Sequence, residues 1–249
     1  RGYPSPPNMV GRKHSYSMSN ETGTGQLFNR IASSYDCVNR LLSLRRDIVW
    51  RKRLANFLPE GQGLRVLDVG TGTGDALLAL AAVKDRLSLC VGVDIAPRML
   101  EKARAKFATV HHGGRLRFVQ ADAQHLTFAP ASFDAALIAF GIRNVPDMRR
   151  ALLEIRRVLR VGGRLLILEF STPRCTAIRF LYLIYLRYIV PLVGGVISGD
   201  FPAYRYLQKS VERFPHGAAF CRILETAGFQ NVAALPLTCG IVTLYQADK

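Results

Sequence analysis

The sequence predicts an α/β fold in which helices cover both faces of a doubly wound, mostly parallel sheet of seven strands. Short apolar runs alternate with stretches of helical periodicity across residues 64–169. Closely spaced glycines follow the first of these runs, and an acidic residue stands at or just beyond the end of each of the first three. N-terminal helices are predicted over residues 26–58, and an apolar helical insertion is predicted over residues 174–197.

The glycine-rich stretch from Arg65 to Asp75 combines a buried-strand pattern with a tight turn. Glycine lets the backbone turn sharply and approach a ligand closely, because it has no Cβ. The dinucleotide fingerprint G-x-G-x-x-G does not fit, since the third glycine comes one residue early. The pattern resembles instead the first motif of the class I S-adenosylmethionine (SAM) methyltransferases. Another nucleotide-binding protein and a turn without a ligand are the alternatives for the candidate residues Asp68, Gly70, Gly72, Thr73 and Gly74.

The remaining elements follow from apolar periodicity and from turn residues. Strands are predicted at residues 64–69, 88–93, 115–119, 134–140 and 164–169, with two closing strands at 231–236 and 240–246. Helices are predicted at residues 75–83, 97–107, 147–160 and 216–227. Residues 26–249 should form a single domain, and residues 1–25, rich in Pro and Ser, should form a disordered tail with Met18 as a candidate start.

Acidic residues at neighbouring strand ends predict one cofactor crevice. Asp94 ends the second strand, and Asp122 follows the third. In open parallel sheets ligands bind beyond the carboxyl ends of the strands, where these side chains should meet. The carboxylate of Asp94 has enough lone pairs to accept both ribose hydroxyl protons of an adenosine, although a helix-entry role is the alternative. Asp122 could accept a hydrogen bond from the adenine amino group while the backbone of Ala123 contacts the ring.

Charge and cysteine content limit the classes of partner. Lys and Arg number 34 against 18 acidic residues, and the net charge of +16 suits nucleic acid, anionic lipid or an anionic substrate. The basic residues are scattered and no RNA-binding module is recognisable, so we expect no nucleic-acid partner. The five cysteines show neither C-x-x-C nor a Cys/His metal spacing, so we expect no metal and reduced thiols in a cytosolic protein.

Arg143 and Asn144 follow the fourth predicted strand, whose carboxyl end faces the reacting methyl group in class I methyltransferases. A guanidinium stays protonated and cannot act as a base, but it can stabilise a phenolate or position a water molecule. An asparagine amide can donate to an oxygen and accept from a water molecule. The pair is therefore predicted to be catalytic for a phenolic acceptor, with a surface cation as the alternative for Arg143.

A longer set of motifs makes the resemblance specific. Phe-Gly-Ile-Arg-Asn at residues 140–144 is similar to the signature of the ubiquinone/menaquinone C-methyltransferases (UbiE/MenG type). The resemblance covers residues 26–246 and implies the class I, Rossmann-like methyltransferase fold. Further stretches that match the family are Phe28–Ala32, Tyr35-Asp36, Asn39, Leu42-Ser43, Trp50-Arg51, residues 158–164 and 168–171, Tyr204–Leu207, Ser210 and Phe214-Pro215.

The resemblance implies SAM-dependent methylation of a ring carbon of a prenylated quinol. The acceptor would be demethylmenaquinol, 2-methoxy-6-polyprenyl-1,4-benzoquinol or both, and no residue separates these. Thr73, Asp94 and Asp122-Ala123 carry over as cofactor positions, and Ala139 stands at another, where members often have Ser. Asp47 is a second departure, because the family's N-terminal signature usually has His there. The predicted substrate-side residues are Tyr35, Asp36 and Tyr206.

A water-insoluble acceptor gives the apolar stretch 174–197 two interpretations. Arg179 and Arg187 interrupt it, so no apolar run approaches the roughly 20 residues of a transmembrane helix. It is either a core-packing helix or an apolar cover for an isoprenoid tail that also touches the bilayer. We expect residues 174–215 to face substrate and membrane, in a cytoplasmic protein attached peripherally to the inner face of an anionic membrane. A homodimer is one option for its assembly.

Two other functions fit the same residues. One is a SAM methyltransferase of another small lipophilic acceptor, such as a different phenol or a sterol. The other is a non-catalytic SAM-binding scaffold of a quinone-synthesis complex, since a fold alone does not establish an activity. Methyl transfer by the isolated chain would separate an enzyme from a scaffold.

Overall fold

A computed structural model describes residues 23–108 and 115–249 of the chain, and a seven-stranded sheet forms its middle layer. The strands are β1 (Leu64–Val69), β2 (Leu87–Asp94), β3 (Leu116–Gln120), β4 (Phe133–Ala139), β5 (Leu159–Phe170), β6 (Gln230–Leu237) and β7 (Val242–Asp248). They lie in the order β3-β2-β1-β4-β5-β7-β6. The first five are parallel, and β7 runs antiparallel between β5 and β6. The predicted doubly wound, mostly parallel sheet is confirmed.

Helices cover both faces of this sheet. They are α1 (Gly23–Ile31), α2 (Tyr35–Leu42), α3 (Arg46–Ala55), α4 (Asp75–Ala79), α5 (Pro97–Ala108), α6 (Met148–Val158), α7 (Thr176–Ile184), α8 (Val190–Ser198), α9 (Phe201–Arg213) and α10 (Ala218–Thr226). Tight 3-10 turns occupy Leu80–Arg86, Ile142–Asn144 and Thr238–Gly240. Asp147 caps α6 by accepting a hydrogen bond from the Arg150 backbone amide at 2.9 Å, as expected of an N-terminal aspartate.

Alternate residues of β1 enter two separate cores, because successive side chains of a strand point to opposite faces. Leu67 and Val69 pack with side chains of α6 and α10 on one face. Leu64 and Val66 pack with α3 and α4 on the other. The near-continuous apolar runs of β1 and β4 are thus explained by burial on both faces, as in other parallel sheets.

The N-terminal helices predicted over residues 26–58 are α1, α2 and α3, but the position of the break between α2 and α3 was not predicted. The chain turns between α2 and α3 at Leu44 and Arg45, whose φ angles are 50° and 61° in the left-handed region. Such angles are uncommon for residues other than glycine, so composition alone gave no sign of this break. Helix α1 begins at Gly23, inside the predicted tail, where Gly-Thr-Gly is a weak helix former. Residues 1–22 of that tail lie outside the described residues.

The apolar insertion is a continuous helical segment over Thr176–Ser198, in which a π-helical turn at Tyr185–Ile189 joins α7 to α8. Its 23 residues are long and apolar enough to cross a membrane. Core helices of soluble proteins can meet the same two criteria, so length and composition alone do not decide between these roles. Only 28% of its most apolar window is buried. Its inner side chains Tyr182, Leu186 and Val190 nevertheless pack with α2 and α9, so the segment belongs to the fold.

The chain order along the sheet reverses between β1 and β4, which lie side by side. β1 leads outward through β2 to β3, whereas β4 leads outward through β5 in the other direction. Ligands of open α/β sheets bind in the crevice beyond the carboxyl ends of strands at such a switch point. The predicted site residues follow these strand ends, so the topology places them at one crevice.

Candidate active site

A cavity of about 100 Å³ lies at the carboxyl ends of β1, β2 and β4, and we call it the glycine-loop cavity. The structure brings most of the predicted cofactor residues together at its wall. They are Gly70, Gly72, Asp94, Asp122, Ala123 and Ala139. Gly70 and Gly72 have φ angles of 68° and 56°, which only glycine adopts readily, so the turn depends on them.

Asp94 connects the end of β2 to the glycine turn. Its Oδ2 accepts a hydrogen bond from the Gly72 backbone amide at 2.8 Å, and its Oδ1 accepts one from Ala96 at 2.9 Å. Burial raises the pKa of Asp94, while these backbone amides oppose that rise. A carboxylate has about four lone-pair sites, so each oxygen keeps acceptor capacity toward the cavity.

Asp122 lies in a turn beyond β3 that it helps to build. Its Oδ1 accepts from the Gln124 backbone amide at 2.9 Å and from the Gln124 side-chain amide at 3.1 Å. Ala123 and Gln124 line the same cavity. The sequence did not single out Gln124, which is placed to share any ligand contact that Asp122 makes.

A smaller cavity of about 20 Å³ opens behind the glycine turn, and we call it the polar cavity. Asp68 is fully buried there, and its Oδ2 accepts from the Thr71 hydroxyl at 2.6 Å. Its Oδ1 has no hydrogen-bond partner within residues 23–108 and 115–249. Burial raises the pKa of Asp68 to about 7, although the Thr71 hydrogen bond lowers it. An orphaned buried carboxylate oxygen fits a cationic ligand group such as an ammonium.

Arg51 also faces the polar cavity, and the sequence reasoning did not single it out as a site residue. Its side chain is buried, and its Nη1 donates to Asp47 Oδ2 at 2.6 Å. Asp47 also pairs with Arg40 and accepts from the Ser43 hydroxyl at 2.8 Å. The aspartate that departs from the family signature therefore fixes an arginine beside the glycine turn. The signal available in sequence was the Trp50-Arg51 match, which named no role.

Asp36 does not take the substrate-side position predicted for it. Its Oδ1 accepts from the Thr73 hydroxyl at 2.6 Å, and its Oδ2 accepts from Lys106 Nζ at 2.7 Å. These bonds attach α2 to the glycine turn, so Asp36 and the side chain of Thr73 have a positioning role. Gly74 likewise serves packing, because a Cβ there would lie 2.7 Å from the ring of Phe107.

A third cavity, of about 680 Å³, lies between the N-terminal helices and α7–α9, and we call it the apolar cavity. Tyr35, Tyr206, Arg143 and Asn144, which the sequence predicts to be substrate-side or catalytic residues, line it. Its lining is otherwise mainly aliphatic and aromatic, including Leu27, Ile31, Trp50, Phe170, Ile178, Leu186, Val190 and Leu207. The volume is within the range of roughly 300–1,000 Å³ typical of small-molecule sites.

Phe140 and Asn144 line both the apolar cavity and the glycine-loop cavity. Phe140 has a φ of 61°, a strained conformation for an aromatic residue. Its ring packs 4.7 Å from that of Phe170, measured between centroids. Since strain is retained mainly where the surroundings enforce it, the junction between the cavities is a built feature of the fold.

Arg143 is held in place from three sides. Its Nη1 donates to Glu169 Oε1 at 2.6 Å and to the Phe140 carbonyl at 2.7 Å. Its Nε donates to the Ser210 hydroxyl at 3.3 Å. The guanidinium also lies 5.4 Å from the centroid of the Phe170 ring. These contacts leave Nη2 as the guanidinium nitrogen available to a ligand in the cavity.

Glu169 is a second functional candidate that the sequence did not reveal. It is fully buried, and its Oε2 has no hydrogen-bond partner in the described part of the chain. Burial raises the pKa of Glu169, although Arg143 opposes the rise. The sequence shows Glu169 only as part of a strand-five motif, and its pairing with a residue 26 positions earlier depends on β4 and β5 being neighbours.

Tyr206 and Asn144 are joined directly. The Tyr206 hydroxyl donates to Asn144 Oδ1 at 3.2 Å, and Asn144 Nδ2 lies 3.4 Å from the Phe140 carbonyl. Burial raises the pKa of Tyr206, so its hydroxyl stays protonated near neutral pH. Two residues predicted separately, one catalytic and one on the substrate side, therefore form one polar group at the end of the apolar cavity.

The chain is similar to known proteins in both sequence and fold. A ubiquinone/menaquinone biosynthesis C-methyltransferase UbiE of Syntrophotalea carbinolica is 46% identical over 91% of this chain and 94% of its own. A demethylmenaquinone methyltransferase of Thermus thermophilus is 44% identical over 90% of this chain and 100% of its own. The crystal structure of a SAM-dependent methyltransferase of Thermotoga maritima superposes with a TM-score of 0.63 at 21% identity, covering 90% of this chain and 99% of that one.

The solved structure shows that the fold is that of the class I SAM methyltransferases, as predicted. The fold and the family together imply the use of SAM. The sequence model of the family matches residues 16–249, nearly the whole chain. On this match, and on relatives that are similar over nine tenths of its length, the chain belongs to the ubiE/COQ5 methyltransferase family.

Proposed function

We propose that the chain transfers a methyl group from SAM to a ring carbon of a prenylated quinol in respiratory quinone biosynthesis. The observation that carries the proposal is the junction at Phe140 and Asn144, where the glycine-loop cavity meets the large apolar cavity. A prenylated ring needs both a polar end for its oxygen and an apolar chamber for its tail. The names of the two curated relatives support the same reaction class.

The cofactor would occupy the glycine-loop cavity and the polar cavity. SAM supplies an electrophilic methyl group on a positively charged sulfur. Asp94 would accept the ribose hydroxyls, and Asp122 with Ala123 would contact the adenine. The orphaned Oδ1 of Asp68 supports a bond to the ammonium of the methionine part. Arg51 would pair with its carboxylate, because charge-assisted hydrogen bonds of this kind are strong.

Arg143 would stabilise the negative charge on the quinol oxygen. A phenolate makes the neighbouring ring carbon nucleophilic, so its stabilisation favours attack on the methyl group. Glu169 and the Phe140 carbonyl orient the guanidinium for this task. A water molecule held between Arg143 and Asn144 would help to polarise this oxygen, and the ring carbon that gains the methyl group would afterwards lose its C–H proton. Much of the rate should come from holding the ring in line with the methyl group.

The test is a methyl-transfer assay with labelled SAM and both quinols, each in reduced form with a short prenyl tail. Arg143→Ala should lower kcat by about 100-fold or more, the effect of removing a donor that stabilises developing oxyanion charge. SAM binding should be nearly unchanged, because Arg143 lies in the apolar cavity. The matched control is Arg149→Ala, an exposed arginine at the start of α6, which should keep full activity.

The products assign the acceptor. Product from the naphthoquinol alone would place the chain in menaquinone synthesis, product from the benzoquinol alone in ubiquinone synthesis, and product from both would indicate a shared enzyme. If SAM binds but neither quinol is methylated, the proposal fails. A different lipophilic acceptor or a scaffold role would then be the remaining explanation.

A further inference from the structure

The helical segment from α7 to α8 carries an exposed apolar stripe on its outer face. Phe180, Tyr188, Leu192 and Val196 are 64%, 68%, 58% and 67% exposed, and Ile184 is 40% exposed. These residues recur at every fourth position, where each lies close to the next, so they form a stripe that winds gradually along the helix. We call this set the outer stripe. A soluble protein rarely leaves such a contiguous apolar surface without a partner.

The mouth of the apolar cavity lies beside the outer stripe. Leu181 and Ile189 line the cavity and are also exposed, so they stand at its opening. Leu41 at the end of α2 and Leu44 in the turn before α3 also line the cavity and are exposed. The Tyr185 hydroxyl joins the helical segment to α2 by donating to the Leu42 carbonyl at 2.5 Å. The cavity therefore opens into an apolar surface.

Basic residues outnumber acidic ones in the two segments beside this mouth, although Arg187 is paired with Glu212 of α9. Residues 170–199 contain three arginines and no Asp or Glu. In residues 37–59 the acidic residue is Asp47, which is buried and paired with Arg51. The exposed cations there are Arg45, Arg46, Lys52 and Arg53. Two copies of such a surface would repel each other, whereas an anionic lipid surface would attract it.

We propose that the outer stripe and the mouth dock on an anionic lipid bilayer, so that the acceptor enters the apolar cavity directly from the lipid. The exposed side chains would enter the interfacial region of the lipid, and the basic residues would contact its headgroups. This inference rests on the proposed function only for the identity of the acceptor. The docking itself follows from the surface and is tested without catalysis.

The experiment is flotation of the full chain with vesicles. One set contains phosphatidylcholine with about one third phosphatidylglycerol, a composition chosen for its negative surface charge. The other contains phosphatidylcholine alone. We expect binding to the anionic vesicles that weakens as salt is raised from about 0.05 to 0.5 M, because salt screens exposed charges. Equal binding to both sets, or none to either, would overturn the proposal.

Two matched double variants test the surface. Phe180→Asp with Leu192→Asp places charges on the outer stripe without altering a residue that lines the cavity. Leu153→Asp with Val161→Asp alters exposed apolar residues on α6 and at the amino end of β5. The first variant should bind anionic vesicles about tenfold more weakly. Two apolar side chains no longer enter the lipid, and the new carboxylates reduce the attraction to the anionic headgroups. The second should bind like the wild type.

Activity assays with two kinds of quinol then distinguish a loss of membrane docking from a loss of methyl transfer. The outer-stripe variant should methylate a water-soluble, short-tailed quinol at the wild-type rate but lose activity on a long-tailed quinol in vesicles. Equal activity of both double variants on the vesicle-borne quinol would refute entry from the lipid. Size-exclusion chromatography gives a further check, since a concentration-dependent dimer abolished by the outer-stripe variant would show that a second copy covers this face and would contradict docking on lipid.

Discussion

At the scale of single residues, Asp68 is the group whose ionisation we expect to make SAM binding depend on pH. Its folded pKa of about 7 lies above its ordinary value of 3.8, because the carboxyl is fully buried. The folded state therefore keeps a proton that the unfolded chain releases, and Asp68 lowers the stability of the fold as pH rises from about 4 to 7. The ionised form is the one that can accept a hydrogen bond from an ammonium.

We predict that the affinity of the chain for SAM rises as pH passes through about 7. Asp68→Asn should bind SAM roughly 10- to 100-fold more weakly at pH 8, the loss expected for a hydrogen bond to a charged group. The variant should nevertheless be more stable to urea than the wild type at pH 8, because a buried charge has been removed. Calorimetric titration and urea unfolding measure the two effects.

Asp85→Asn, at an exposed aspartate in the turn before β2, is the control and should change neither quantity. Unchanged SAM affinity in Asp68→Asn would remove Asp68 from the cofactor site. A pH-independent affinity in the wild type would argue that another group meets the ammonium.

Sequence could predict which residues would meet at the glycine-loop cavity because they lie at or beyond strand ends, and parallel strands bring their carboxyl ends to one edge. Arg51 and Glu169 were not recoverable as site residues. Arg51 lies one helical turn after Asp47, and this spacing predicts an ion pair but no site role. Glu169 meets Arg143 only because β4 and β5 are neighbours in the sheet. Asp36 was misplaced because a motif match gives a position in the chain but not the direction of a side chain.

At the scale of elements, the strands agreed with the sequence pattern to within a few residues, except that β5 begins earlier. It starts at Leu159, and the register with β4 shifts between Phe133 and Ala135, so the glycine turn at residues 161–163 lies inside the strand. A bulge of this kind has no characteristic pattern of apolar residues, so the sequence does not indicate where it lies. The break between α2 and α3 was hidden for a similar reason, since a left-handed Leu-Arg pair is not a turn signal.

Close packing of α8 on α9 forms one wall of the apolar cavity, and Gly194 makes it possible. A Cβ at Gly194 would lie 2.3 Å from the ring of Tyr204, which also lines that cavity. We predict that Gly194→Ala lowers the free energy of unfolding by about 1–3 kcal/mol, the usual effect of overpacking. It should also raise KM for the quinol while leaving the affinity for SAM unchanged. Urea unfolding and steady-state kinetics check both.

Gly23→Ala is the matched control, because a Cβ there meets no atom within 4 Å. If Gly194→Ala were as stable as this control, α8 and α9 would have room to separate. The cavity wall would then be more adaptable than the packing indicates.

At the scale of the whole molecule, a chain of ion pairs fastens the N-terminal helices over the glycine turn. Lys106 of α5 contacts both Asp36 of α2 and Asp75 of α4 at 2.7 Å. Asp75 pairs in turn with Arg40 at 2.8 Å, and Arg40 reaches Asp47 beside Arg51. Helices α2 and α3 line both the polar cavity and the apolar cavity. Ion pairs with α4 and α5 therefore help to hold the walls of both cavities in place.

Lys106→Met should loosen this attachment. Burial alone would raise the pKa of Asp75, but Arg51, Lys106 and Arg40 together lower it. The stabilisation is therefore present above the unfolded pKa near 4 and is lost as pH falls through the lower folded value. We predict that the variant is less stable by about 2 kcal/mol at pH 7, since a partly buried carboxylate loses a charged partner, and that the difference narrows below pH ~4.

The same substitution should weaken SAM binding, because Arg51 and Tyr35 reach the polar cavity from the helices that Lys106 holds. Lys102→Met, one turn earlier on the exposed face of α5, supplies the control and should behave like the wild type. Urea unfolding at pH 7 and at a pH well below 4, with SAM titration at pH 7, distinguishes the outcomes. Equal destabilisation of the variant at both pH values would show that Lys106 acts through packing of its aliphatic stem. Unaltered SAM affinity would show that the helices keep their place without the ion pairs.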